Sequence, residues 1–584
     1  MTRRRFIAGS GVMAAGSAAI LAGCGDDDDD DGGSTPAATG TAASTGTAAA
    51  TGTATSSAAK PVKGGTLKLF KAAADTGQDP RIYHQTNPEV LFANVWPATW
   101  QVSKNKIAFD GMLSMEQVDP TTVVFKVRPG MKFSNGDPIT AEDWAYTMTS
   151  LPVITKERRG HASTPLFNYI ESTTAVDATT VRQKLTRPNP SHLVGMTYRY
   201  MAFLNKKVIE AGAAKDGQPT KDAQDNPAGA FGGPYNIDKR EATGTKLVRN
   251  PNYWKHEPAD DGFVVDGPYI DNVEYRIIPD RAAQKAAFAA GDIDVLGGID
   301  KLEADEFKSN KNLSVAEKAN GAWNILAFDH KKLFDKRARA AIRAAINYDA
   351  FGAAIFAGPV SYNAPVNILI PGWQAMTQDQ IKAYHKYDPA DAKKLWEAAG
   401  KPVSKIRILS YNNATNVSIS DFVAQNLKSA LGVDVEVQQA DPQAWAQRAN
   451  VVPDKDWELL QSGNGLTGGT SGVPENSNLI WYDPRAYGPL AFNASIDSDN
   501  PTIKEESTKI LELLKAQEIE LDVAKRKQML TDLQKYLFDI AHTGALLPIA
   551  KNALFAYNSR LQDFGLEDWD NGYALRRHAM WLKA

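Results

Sequence analysis

The chain has 584 residues, one cysteine, and 65 basic against 68 acidic side chains. A slightly acidic balance excludes a general nucleic-acid binder, which needs a basic face for phosphate contacts, and a lone cysteine excludes disulfides and thiolate zinc or iron–sulfur centres. Beyond residue 60 no apolar run reaches the roughly 20 residues of a membrane helix, no solenoid-period repeat occurs, and about 525 residues remain, room for roughly two to four domains.

The first segment is processing chemistry. Arg3-Arg4-Arg5 form a positive start, and residues 7–22 are an apolar run diluted by Gly and Ala, too short and too weakly hydrophobic to span a bilayer. It reads as an export signal. An Arg pair with Phe6 two residues on resembles the twin-arginine signal of proteins exported already folded. Leu21-Ala22-Gly23-Cys24 resembles a bacterial lipobox, in which cleavage precedes the cysteine and its thiol carries a diacylglycerol; the plain alternative for Cys24 is an ordinary thiol in a cleaved leader. Two acyl chains, at about 0.8 kcal/mol per buried CH₂, give stable attachment. Removing residues 1–23 leaves 62 basic against 68 acidic side chains, a net charge of −6. Residues 24–59 then read as a disordered tether: Asp26 to Asp31 followed by a run of almost only Gly, Ala, Ser and Thr, which cannot bury enough apolar surface to offset chain entropy. Its mean reach is roughly 30 to 35 Å. Consecutive Asp residues lack the spacing of calcium ligands and read as a solvated spacer.

Beyond the tether, strands and helices alternate with clear punctuation. Strands are expected over 66–70, 122–127 and 272–278, the last with Val273, Tyr275 and Ile277 alternating. Thr140 is positioned to cap a helix from Ala141 with Asp143 in its first turn. Asp388-Pro389 opens another helix, with Gly400 just past its end. Residues 405–410 as strand, 417–431 as helix, Gly432 as stop and 433–438 as strand predict a crossover between parallel strands. Ligands in such sheets gather outside the carboxyl ends of strands, which nominates Ser410, Tyr411, Asn412 and Asn413. Two long amphipathic stretches, 503–520 and 523–540, follow.

Catalytic constellations are missing. The histidines are scattered, with no His-Glu-x-x-His helix, no Gly-x-Ser-x-Gly elbow and no Walker-type phosphate loop. Gly463-Asn464-Gly465-Leu466-Thr467-Gly468 matches a dinucleotide fingerprint after the strand-like 457–461, but Gly469, Gly472 and Pro474 prevent the helix that would hold a pyrophosphate. It reads as a loop.

Residues 125–143, Phe-Lys-Val-Arg-Pro-Gly-Met-Lys-Phe-Ser-Asn-Gly-Asp-Pro-Ile-Thr-Ala-Glu-Asp, resemble the signature of the peptide/nickel class of extracellular solute-binding proteins, the capture subunits of ABC importers. Further blocks follow in order: Gly232-Gly233-Pro234-Tyr235, Arg249 to Trp254, Asp271 to Ile278, Ala289 to Asp294, and Phe334 to Arg339 with Ala344 to Asn347. The likeness runs from about Gly64 to the C-terminus. Pro129-Gly130, Asn135-Gly136-Asp137 and Asn250-Pro251 are turn chemistry, so these blocks identify a fold and not a ligand.

The resemblance implies an α/β, two-lobed periplasmic-binding-protein fold with a hinge and an interlobe cleft. Lobe one would comprise residues 60–315 and 548–584, with a subdomain inserted at about 105–229, and lobe two residues 316–547. It nominates Tyr83 and His84 behind Asp79-Pro80, and Trp323 ahead of the strand 324–328, as ligand-binding residues, although each aromatic read alone is also an ordinary core residue. Where peptide binders of the family carry Gly-Trp-x-x-Asp, whose Asp captures the ligand's α-amino group, this chain reads Gly463-Asn464-Gly465-Leu466-Thr467. A hydroxyl cannot neutralise a buried ammonium, so Asn464 and Thr467 argue against a zwitterionic peptide. A second departure is 95–100, Val-Trp-Pro-Ala-Thr-Trp, in place of the usual Tyr-Glu-Gly-Leu-like segment. The expectation is therefore a monomeric, lipid-anchored receptor on the extracytoplasmic face of a bacterial membrane, passing a small ligand to ABC permease subunits, with no enzymatic activity, cofactor, metal or nucleic acid. The competing readings are a secreted hydrolase using the same cleft, and a ligand sensor or chaperone-like binder without a permease.

Overall fold

The computed structural model describes residues 60–72, 74, 100–103, 106–109, 111–157, 169–196, 202–211, 232–254, 267–319, 324–366, 376–441, 444–445, 447–451, 454–463, 479, 482–485, 493–542, 545–564 and 580–583. The leader, the tether and Cys24 lie outside these residues.

The first strand, β1 (Thr66–Lys71), alternates as half-buried surfaces do, with Leu67 and Leu69 turned into the core. A separate antiparallel sheet follows, built from β2 (Met112–Asp119), β3 (Thr122–Val127), β4 (Ile170–Asp177) and β5 (Thr180–Leu185) in the order β2-β3-β5-β4. Helix α1 (Ala141–Glu157) packs across it, setting Trp144 edge-on to Phe125 at 4.6 Å between ring centroids. The Thr140 cap works in reverse of the usual direction: its N–H and Oγ both donate to Asp143 Oδ2 at 2.9 Å. The 133–136 turn closes with Gly136 at φ 88°, a conformation that a side chain would strain.

The chain then returns to β1. Strands β6 (Tyr235–Glu241), β7 (Gly244–Arg249) and β8 (Asn272–Ile277) complete a sheet ordered β1-β8-β7-β6, with β1 and β8 parallel from Thr66 opposite Asn272. Two of the sequence blocks meet here: buried Asn250 donates from its side chain to Gly233 O at 2.8 Å and from its backbone to Pro234 O at 3.0 Å. One continuous core gathers both sheets, α1, and Leu561, Met580 and Leu582 from the chain's end. The N-cap Asp280 starts α2 (Arg281–Ala289), and Asp300 starts α3 (Lys301–Lys308) with a reciprocal capping box.

Between these helices runs β9 (Val295–Ile299), and after them β10 (Leu313–Ala319) leads to β11 (Asn324–Phe328), which enters a second core. The second core holds a sheet of β11, β12 (Lys405–Tyr411), β13 (Asp434–Ala440), β14 (Leu459–Gly463) and β15 (Ala545–Leu546), ordered β13-β12-β14-β11-β15. Helices α4 (Lys336–Ala345), α5 (Pro389–Ala398) and α6 (Ala414–Leu431) add their apolar faces to the core, and α7 (Pro501–Gln517) and α8 (Val523–Asp539) pair over an adjoining cluster. The chain returns through β16 (Asn552–Asn558), which lies between β9 and β10 with Ala319 opposite Asn552. Passage out and passage back are therefore neighbouring strands.

The predicted crossover is present: β12 and β13 are parallel from Lys405 opposite Asp434 to Tyr411 opposite Ala440. Its helix begins at Ala414 instead of 417, because the Asn413 side chain accepts from the Asn416 N–H at 3.0 Å and caps an extra turn. Gly432 ends it at φ 64°.

Candidate functional site

Strand directions bring several chain segments to one edge of the second core's five-stranded sheet. Parallel β12, β13 and β14 all end there, and antiparallel β11 begins there with Asn324 opposite Gly463. The ends are otherwise apolar: Ile408, Leu409, Leu459, Leu460 and Ile325 are fully buried. Toward this edge, uncharged polar side chains interrupt that pattern. Ser410 Oγ donates to Asn416 O at 3.3 Å and lies 3.4 Å from Gln461 Oε1, while Gln461 Nε2 donates to Asn324 Oδ1 at 3.0 Å. The three are 0%, 0% and 2% exposed, so this ladder persists because each member supplies a partner for the next.

Beside the ladder, Tyr411 stacks on Trp445, with centroids 4.4 Å apart and planes 18° from parallel. Tyr411 is half-buried and Trp445 buried, and the indole Nε1–H of Trp445 has no hydrogen-bond partner among the described residues. Asn412 is exposed and its N–H donates to Ala440 O at 3.0 Å, extending the β12–β13 pairing by one residue. Asp441 Oδ1 accepts from the Ala444 N–H at 2.9 Å.

Formal charge collects at the other edge. Lys405, Arg407, Asp434, Glu436 and Glu458 stand where β12, β13 and β14 begin. Burial raises the Glu458 carboxyl, but hydrogen bonds from the Arg407 side chain and backbone and from Lys332 outweigh that and hold it below the ordinary value. The Glu458 group is a structural knot. Among the described residues, the candidate edge is left with amides, a hydroxyl and aromatic faces, together with Asp441.

Of the residues nominated from sequence, the structure brings Tyr411 and Asn412 to this edge. Trp323, Asn464 and Thr467 lie outside the described residues, but the described neighbours Asn324 and Gly463 are paired opposite one another at the same edge. Tyr83 and His84 also lie outside. Sequence reasoning passed over Trp445, Gln461 and Asn324. Gln461 and Asn324 carried one visible sign, an amide at the end of an otherwise apolar strand; Trp445 carried none, because its partner is set by tertiary packing.

The profile of the bacterial extracellular solute-binding proteins, family 5 (middle region), matches residues 113–487, more than half of the chain. The chain belongs to this family. An oligopeptide-binding protein, AppA of Bacillus subtilis, is 23% identical over 410 residues, covering 66% of this chain and 72% of its own length. Among solved structures, the periplasmic binding protein DppA of Helicobacter pylori in complex with the peptide STSA superposes with a TM-score of 0.72 at 18% identity, over 90% of this chain and 99% of that one. AgaA of A. tumefacien R10, in complex with agropinic acid, has a TM-score of 0.72 at 16% identity, over 89% and 99% of the two chains. The fold is thus the two-lobed α/β fold of periplasmic binding proteins, as the sequence resemblance implied. Of the blocks that carried that resemblance, those up to Asp294 lie in and beside the first core, and Phe334 to Asn347 lie at α4 in the second.

Proposed function

We propose that this family member is a lipid-anchored receptor that captures a small ligand between its lobes and hands it to the permease of an ABC importer. The observation that carries the ligand reading is the sheet edge described above, with its amide and hydroxyl ladder, its aromatic pair and the unpartnered indole N–H of Trp445. Lobe one is proposed to comprise residues 60–315 and 548–584, including an inserted subdomain at about 105–229, and lobe two residues 316–547. The paired strands β10 and β16 support this division, because a hinge made of neighbouring strands lets two lobes move with little rearrangement. Ligand contacts are assigned to Tyr83, His84, Trp323, Tyr411, Asn412, Asn464 and Thr467. Export by a twin-arginine signal and acylation at Cys24 would place the receptor, as a monomer, on the extracytoplasmic membrane face.

The ligand's contact with lobe two is proposed to be neutral and hydrogen-bonding. Amides and hydroxyls exchange donors and acceptors with sugar-like or blocked ligands, whereas a buried ammonium needs a carboxylate. The agropinic acid complex of the similar AgaA shows that the fold accommodates a ligand other than a peptide. Calorimetry against free oligopeptides, N-acetylated peptides and oligosaccharides tests this. Asn464→Ala is expected to weaken the true ligand by roughly 5- to 150-fold, the equivalent of one buried unpaired group. Submicromolar binding of free peptides that is lost on N-acetylation would refute the neutral contact, and loss of that binding in Asp441→Asn would identify the carboxylate responsible.

A further inference from the structure

His330 follows β11, Glu506 lies on α7, and His542 stands in the turn after α8, so three elements far apart in the chain converge inside lobe two. Ligand atoms of the three residues all lie within 4.8 Å of one another, and the two imidazole centroids are 4.7 Å apart. His330 and His542 are 0% and 1% exposed, and among the described residues none of their four ring nitrogens has a partner in good hydrogen-bond geometry, the His330 ring having only the His542 backbone beside it. Buried polar atoms in folded proteins are otherwise nearly always satisfied. An imidazole in its neutral form presents one lone pair to a cation. Glu506 accepts from Arg339 Nη2 at 2.6 and 2.7 Å, the kind of outer hydrogen bond that orients a ligating carboxylate.

We infer that His330, His542 and Glu506 form a buried site for a borderline divalent transition-metal cation such as Zn²⁺. Two imidazoles and a carboxylate are a donor set Zn²⁺ accepts, with water in the fourth position, whereas Ca²⁺ and Mg²⁺ require oxygen ligands throughout. Ligands about 2.1 Å from a tetrahedral ion stand about 3.4 Å apart, so side-chain rotations of roughly an ångström close the three groups on it. The Arg339 charge opposes a second cation, which sets the expected affinity in the micromolar range. The site is separate from the ligand edge: β11 is antiparallel to β14, and its final residue, Phe328, pairs with Leu459 at the start of β14. A cation here would staple the exit of β11 to α7 and to the end of α8, steadying lobe two without touching ligand.

The full chain is stripped with a chelator and titrated with Co²⁺, then with Zn²⁺. The expected result is one equivalent of Co²⁺ with the intense visible bands of a four-coordinate ion, displaced by Zn²⁺, and loss of that equivalent in His330→Gln/His542→Gln. Circular dichroism checks that the variant is folded, and the wild-type Co²⁺ spectrum decides the matter where it is not. A wild-type protein giving only the weak bands of octahedral Co²⁺, or a four-coordinate equivalent surviving in the folded double variant, would overturn the assignment and leave the two rings to share a buried water.

Discussion

Arg339 on α4 offers the sharpest test of how the second core is held together. It is fully buried, and its guanidinium donates to Leu333 O at 3.1 Å, Phe334 O at 2.6 Å, Ala541 O at 3.1 Å, Ile540 O at 2.9 Å and both oxygens of Glu506. Burial disfavours the charged form of each partner, lowering the arginine's pKa and raising the carboxyl's, so the pair is a weak source of net stability. Losing one member is another matter. Arg339→Met would strand a buried carboxylate, about 3 to 5 kcal/mol, and leave carbonyls without donors at on the order of 1 to 3 kcal/mol each. A loss of at least about 5 kcal/mol is expected, comparable to the whole net stability of many domains. Adding Glu506→Leu removes the stranded charge and should recover about 3 kcal/mol, the carbonyl penalty remaining. Urea titration followed by circular dichroism, with a chelator present so that no cation contributes, reads both values. If Arg339→Met loses less than about 2 kcal/mol, or the double variant is no more stable than the single, the stranded-charge reasoning fails.

Three further outcomes are expected. Burial holds His192 at about 3 against an unfolded value of about 6.5, so the fold favours its neutral form; that contribution is complete above about pH 6.5 and is lost as pH falls towards 3. Replacing it with Gln should flatten the stability-versus-pH slope between pH 6 and pH 5 by about 1.4 kcal/mol per unit, and an unchanged slope would show that the ring titrates normally. Arg187 and Ser191, which follow β5, contact Glu518 at the end of α7 and Arg526 on α8 at 2.6 and 2.7 Å, so Arg187→Ala/Ser191→Ala should increase the radius of gyration of the ligand-free protein in small-angle scattering; identical curves would mean these contacts do not hold the two cores together. Finally, Cys24→Ala should remove all label from cells fed an alkyne fatty acid, and persistent label would end the lipoprotein reading.

The sequence by itself determined the local grammar of this protein. Periodicity marked β1, β3, β8 and the β12–α6–β13 crossover, and turn residues marked their ends, because such preferences act within a few residues. Asn413 shows the limit: the helix began three residues ahead of the expected position because this residue, nominated from sequence for the ligand edge, caps its first turn. The candidate edge was half legible. Tyr411 and Asn412 follow from the rule for strand ends, but Trp445 belongs to the edge only because its ring meets Tyr411 across the fold. The pairings of the buried polar groups were not legible. Asn324 reaches Gln461, Asp294 takes the Arg560 guanidinium at 2.9 Å, and His330 meets His542, each pairing residues more than a hundred positions apart. No local pattern encodes such pairs. Their partners are chosen when the cores close, since a polar atom removed from water must be satisfied by whatever the completed fold places beside it.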